Sequence, residues 1–276
     1  MNKTEQGRLS LWLSFPIALL LTGTSLGGLF LPYTYSAETR LQAVQYAGND
    51  AGNLFLIVPF LTFVAIMALR GSAAGRLVWM GTLVYLVYDF LGYAFAVHFN
   101  AMFLAYCAVL GLSFFVLEES FLSMPLQEVT RCCGPRTPTK IIATVLLVMG
   151  LGIVLHWMSA IIPAEFAGRA PQTVRESGLV TETTAVLDLA FGAPACLIVA
   201  ILLFRHKPLG IVLGPIMLTF LGLSGLVLAP MGIAMARRGF VTGGGLCFIG
   251  LGIATGSTVL LAYCFRKDKA VSGGGA

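Results

Sequence analysis

One acidic residue interrupts the most apolar part of a long oily run. The stretch Tyr85-Leu-Val-Tyr-Asp89, followed four residues on by Tyr93, sets a carboxyl group among three phenols. On a helix, Tyr85, Tyr88 and Tyr93 stand at −4, −1 and +4 from Asp89, on one broad face. Their hydroxyls can reach its carboxylate. An ionised carboxylate near the middle of a membrane costs a few kcal/mol or more, and such groups turn to a bundle interior or a wet cavity. The chemistry this permits is binding of a proton or a polar solute. The competing reading is an acid that locks helices together.

A second acid, Asp188, lies about one turn inside a later apolar run. It is read as a charge satisfying a helix N-terminus, or else as a carboxylate on a solute pathway. Asp50 and Asn53 precede another run and take the same two readings. His98 and His156 fall at similar depth and could bracket a haem or bind a metal with Asp188. Two ligands without a motif make that the weaker alternative, so no cofactor and no metal site are expected.

Other chemistries drop out. A retinal Schiff base needs a lysine inside a span, and lysines occur only at edges such as Lys140. The H-E-x-x-H pattern is absent, as are P-loop and G-x-G-x-x-G phosphate cradles. Gly222-Leu-Ser-Gly225 has a serine-protease look, but no histidine follows it in a span. Tyr88-Asp89 is half of an intramembrane aspartyl protease pattern, and its G-x-G-D partner is missing. The balance is against an enzyme.

The elements that must position these residues follow from composition. Apolar residues make up 58% of 276, charged residues 11%, and the mean hydropathy is +0.90. Soluble domains run near a quarter charged. Backbone groups in hydrocarbon must pair internally, which leaves helices or closed barrels. The runs are continuous and not alternating, so helices are expected: an all-α polytopic membrane bundle of about eight transmembrane helices, forming one transmembrane domain over 1–276. The spans are read as 11–32, 54–70, 77–98, 101–118, 141–163, 185–204, 209–235 and 244–265. The third and fourth form a hairpin around His98, Phe99 and Asn100. Pro32 and Pro163 close the first and fifth. The first run is too long, and its flank too bulky at Tyr35, for a cleaved signal peptide. Residues 266–276 read as a flexible tail.

With both termini in the cytosol, 12 of the 17 basic residues face the cytosol and five the other side, as the positive-inside rule requires. The formal charge of +5 is thereby a matter of orientation, and nucleic acid is not an expected partner. The lipid bilayer is, with an unidentified small solute or proton. Glu118 and Glu119 are expected to pair with Arg70 or Arg76. Cys107, Cys196, Cys247 and Cys264 read as packing residues. Cys132 and Cys133 read as free thiols in a cytosolic loop, with palmitoylation as the alternative in a eukaryotic host.

The chain also repeats itself. Residues 53–70 laid on 188–205 give six identities in 18 positions, including Pro59/Pro194 and Arg70/Arg205. With an offset, Gly81 and Gly92 fall opposite Gly214 and Gly225. Four spans per half make a parallel repeat, with halves 1–135 and 136–276. Pro59 and Pro194 each delete a helix hydrogen bond and are expected to kink their helices. Gly23/Gly27, Gly210/Gly214 and Gly252/Gly256 have the G-x-x-x-G spacing of close helix contacts.

Gln45-Tyr-Ala-Gly-Asn-Asp50, Arg70-Gly-Ser-Ala-Ala-Gly-Arg76, the tyrosine run at 85–89, His98-Phe-Asn-Ala-Met-Phe-Leu-Ala-Tyr106 and Val186-Leu-Asp-Leu189 together resemble a group of prokaryotic multi-pass membrane proteins without an established activity. The resemblance extends from the second span to the seventh. It implies a plasma membrane of a prokaryote and an eight-helix bundle, and carries no catalytic residue. The expectation is a small-solute or proton-linked transporter working at Asp89. A sensor or assembly subunit without turnover is the alternative, and a membrane-embedded redox or lipid-modifying enzyme the third reading.

Overall fold

The computed structural model describes residues 9–124 and 138–265. Arg131, Cys132, Cys133, Arg136 and the tail 266–276 lie outside the described residues. The protein is an all-α bundle. Among the described residues eight helices are long and apolar enough to cross a membrane: α1 (Leu9–Phe30), α2 (Arg40–Leu69), α3 (Ala73–Ala96), α4 (Phe103–Leu122), α5 (Thr139–Phe166), α7 (Thr183–Phe204), α8 (Pro208–Arg237) and α9 (Thr242–Cys264). A short helix, α6 (Gln172–Ser177), sits in the connection between α5 and α7. Large apolar side chains such as Phe95, Leu104, Phe166 and Phe248 point outward, as lipid contact allows and water would not.

Many hydroxyls inside the helices are satisfied locally. Thr22, Thr62, Thr82, Thr144, Thr219, Thr258 and Ser120 each donate to the carbonyl four residues back, so they cost little in hydrocarbon. The centre of the bundle is α8, which packs on α2, α3, α7 and α9. Glycines set its closest approaches. A Cβ on Gly48 would stand 2.5 Å from Met231 Cα, and one on Gly52 would stand 2.8 Å from a Val227 methyl. These two glycines, four apart on α2, form the seam for α8.

Three expectations about packing change. Gly23, Gly252 and Gly256 have nothing within 4 Å of where a Cβ would stand, so they are not contact points, whereas Gly28 is. Pro163 does not end α5, which continues to Phe166 with the proline inside it. Glu119 accepts from the Ser10 hydroxyl and Arg76 donates to Ser123 (3.1 Å). Among the described residues no arginine lies within 4 Å of a carboxylate.

The largest departure is α2. It begins at Arg40, fourteen residues before the expected start. Thr39 caps it, its side-chain oxygen accepting from the Gln42 N–H. The helix then widens into a single π-turn over Asn53–Ile57 before the regular helix Val58–Leu69, which has Pro59 in its first turn. The second half does the same at a spacing of 135 residues. A π-turn covers Asp188–Gly192, and Ala193–Phe204 follows with Pro194 in its first turn. The prolines therefore act through a wide turn just before them. The Val58 N–H reaches Asn53 O, and the Ala193 N–H reaches Asp188 O. The register persists through the next connection. Gly71 and His206 both have positive φ (86° and 49°). Ser72 N–H bonds Met67 O at 3.1 Å, and Lys207 N–H bonds Leu202 O at 2.9 Å. Helices then restart at Ala73 and Pro208.

Candidate functional site

The early start of α2 brings a polar helix face into the bundle. Asn49, Asp50 and Asn53 are all buried. Gly48 and Gly52 hold that part of α2 against α8, and the neighbouring polar face turns to α1 and α3. Thus Asp50 does not precede a helix. It lies ten residues, about 15 Å, into one, and the dipole reading fails for it. Asn53 fails likewise and opens the π-turn.

Asp89 lies seven residues short of the end of α3 and about five past its midpoint. It is partly buried. Its two oxygens accept from two carboxamides of α2: Asn49 Nδ2 to Oδ1 at 2.9 Å and Asn53 Nδ2 to Oδ2 at 2.8 Å. The three tyrosines do not crowd round it as expected. Tyr85 donates to Asn53 Oδ1 at 2.8 Å. Tyr93 donates to Asp50 Oδ1 at 2.9 Å and accepts from Asn49 Nδ2 at 3.1 Å. Tyr88 turns away altogether and donates to Asp188 Oδ1 at 2.7 Å. Asn49 and Asn53 thus link Asp89 to Tyr93 and Tyr85 of its own helix.

Asp50 completes the cluster. Tyr35, in the connection after α1, donates to its Oδ2 at 2.5 Å. Burial and the Asp50 carboxylate together push the Tyr35 phenol well above its ordinary range, so it stays a donor. Gly28 makes the room. Any Cβ there would overlap the Asp50 carboxyl and come within 2.7 Å of the Tyr35 hydroxyl. The Tyr106 ring of α4 lies 5.1 Å from the Tyr93 ring, tilted by 47°, and its buried hydroxyl has no hydrogen-bond partner among the described residues.

Asp188 is five residues into α7, at the first position of the π-turn, and so is not a terminal charge. It joins the halves. Oδ1 accepts from Tyr88 of α3, and Oδ2 accepts from Trp157 Nε1 of α5 at 2.8 Å. Both oxygens accept, which is how an ionised carboxylate bonds.

The histidines are not brought together on a site. His98 ends in the α3–α4 connection, with Nδ1 3.1 Å from Glu38 Oε1. His156 lies on the exposed face of α5, and its neighbour Trp157 is the residue that reaches Asp188. No group of three or more metal-ligating side chains occurs among the described residues.

The fold and these contacts define a class: a polytopic helical membrane protein holding three acidic side chains between its helices, each bonded by neutral donors. No family model, curated protein or solved structure matches the chain.

Proposed function

We propose that the protein is a proton-linked transporter of a small solute, with Asp89 as the proton site. The observation that carries this reading is the pairing of Asp89 with Asn49 and Asn53, without a cationic partner. A carboxylate accepts from both carboxamides. Once protonated, one of its oxygens becomes a hydroxyl, a donor and a poorer acceptor, so the carboxamide bonded to that oxygen holds it more weakly or turns over to accept from it. Asn49 and Asn53 also hold Tyr93 and Tyr85, so the rearrangement reaches Asp50 and the wall of α3. Motion follows by rocking of residues 1–135 against 136–276, and the Tyr88–Asp188 bond is the polar link that this motion strains.

The test is Asp89→Asn in proteoliposomes, with uptake of a panel of small solutes followed at several pH values. The expected result is a folded protein whose uptake no longer depends on pH. Unchanged pH-dependent uptake removes the proposal. The second reading, an assembly subunit or sensor without turnover, draws on the full hydrogen bonding of Asp89. It expects the same variant to lose thermal stability and nothing else. With either reading both ends of the chain are proposed to be cytosolic, on the strength of the 12-to-5 split of basic residues, and the membrane is proposed to be a plasma membrane, as the resemblance implies.

A further inference from the structure

A groove of about 600 Å³ opens on the bundle surface between α3 and α4 of the first half and α7 and α8 of the second. Its walls are almost wholly apolar, with Val87, Leu187 and Phe191 among them, and it runs along α3 from Phe95 to Val84, about 16 Å. The register of 135 residues explains why it is open. On the other side of the bundle Gly52 of α2 closes tightly on Val227 of α8. The residues that match them at that spacing are Leu187, which lines the groove, and Gly92, which has nothing within 4 Å of where a Cβ would stand. The glycine has changed sides, and the seam that is shut in one place is a cleft in the other.

One charged group lies just behind the lining of the groove. Tyr88 and Gly192 line it. Behind them is Asp188, whose Oδ1 bonds the Tyr88 hydroxyl and would stand 3.4 Å from a Cβ on Gly192. Asp188 is partly exposed. Among the described residues no basic group lies within 4 Å of it. It also opens a π-turn, a feature that collects at functional sites.

We propose that this groove binds a single-tailed amphiphile with a cationic, hydrogen-donating head, a protonated long-chain amine being the simplest. The tail lies along α3 and α4, and the head bonds the Asp188 carboxylate beside Tyr88. Charge complementarity selects the head: an anionic one would meet the carboxylate unfavourably, and a neutral one would forgo the charge-assisted bond. The proposal concerns binding and stands whether or not Asp89 moves protons.

Trp157 reports on it, because its indole bonds the same carboxylate. The protein would be placed in phosphatidylcholine nanodiscs in a Trp12→Phe background, since Trp12 faces outward. Brominated hexadecylamine, hexadecanol and hexadecanoate would be titrated and tryptophan quenching followed. The amine should quench saturably and more tightly than the alcohol, and the carboxylate should only partition. Asp188→Asn should weaken the amine by about tenfold or more, the usual weight of a bond to a charged group. Gly111→Leu should abolish saturable quenching, because Gly111 lines the groove and its Cβ direction is open. Equal behaviour of amine and carboxylate, an unchanged amine affinity in Asp188→Asn, or saturable amine quenching retained in Gly111→Leu, overturns the proposal. If Asp188→Asn fails to fold, the head-group series and Gly111→Leu still decide it.

Discussion

Gly28→Ala adds one methyl group to α1, and the structure says where it goes. The new carbon would overlap Asp50 Oδ2 and press on the Tyr35 hydroxyl at 2.7 Å. The carboxyl has little room to retreat, since Asp50 is 1% exposed and its other oxygen is held by Tyr93 at 2.9 Å. Overpacking of a tight interior costs roughly 1–3 kcal/mol. Breaking or stretching the 2.5 Å Tyr35–Asp50 bond adds about 1–3 kcal/mol, because it leaves buried polar groups unsatisfied. Alanine returns up to about 1 kcal/mol of helix preference over glycine. The net expectation is a loss of about 2–4 kcal/mol, or roughly 5–10 °C in Tm, read by thermal unfolding of the purified protein. Gly23→Ala is the internal control, five residues earlier on the same helix. Its Cβ meets nothing within 4 Å, so its Tm should hold or rise. The cause is isolated by repeating Gly28→Ala in an Asp50→Ala background, where the methyl no longer meets a carboxyl. The two changes should then couple by about 2 kcal/mol in the relieving direction. Equal Tm values for Gly28→Ala and Gly23→Ala, or an undiminished cost in the Asp50→Ala background, would refute the placement of Asp50 against Gly28.

Tyr88→Phe removes the hydroxyl that joins α3 to Asp188 and leaves the Trp157 bond in place. It should cost about 1.5–3 kcal/mol of thermal stability and spare the Asp89 cluster, so pH-dependent uptake should persist with altered rate. Loss of the pH dependence itself would mean that Tyr88 belongs to the proton site. Reporter fusions at residues 1 and 276 should both read as cytosolic. Signals from opposite faces would break the eight-span orientation.

The spans are legible because lipid-facing helices must be apolar along most of their length, and α3, α4, α5, α8 and α9 show it end to end. The first 13 of the 30 residues of α2 are not. Arg40-Leu-Gln-Ala-Val-Gln-Tyr-Ala-Gly-Asn-Asp-Ala-Gly52 has no apolar surplus, so it reads as a loop. It is a helix because its small residues meet α8 and its polar ones meet partners on α3 and in the Tyr35 connection. Hydropathy sees a residue's liking for lipid and is blind to a face that never touches lipid. The same blindness hides the partners of Asp89. Helical spacing rightly puts Tyr85, Tyr88 and Tyr93 near that acid, but three phenols on its own helix compete with whatever a neighbouring helix presents, and two carboxamides of α2 take the carboxylate. Asn49 is recoverable only by asking which polar side chains stand four apart with Asn53. Gly28 is not recoverable, since its role depends on a carboxyl twenty-two residues away.

The two halves share a backbone rhythm and have parted in chemistry. At the spacing of 135 residues, Asn53 meets Asp188, Asp89 meets Ser224, Tyr85 meets Phe220, and Asp50 meets Ala185. The first half keeps a network of two acids, two carboxamides and three phenols tied between α1, α2 and α3. The second keeps one acid, moved from the third helix of its half to the second, and that acid finds its partners on α3 and α5. Ser224, in the place of Asp89, has a buried hydroxyl without a partner among the described residues. A symmetric channel would need equivalent groups facing each other across the seam. What stands there is unequal: a self-contained polar cluster on one side, and on the other a single carboxylate that reaches over and leaves an oily cleft beside it. Such a division suits two different ligands. The buried cluster can hold something as small as a proton, and the open wall can take something large enough to have a tail.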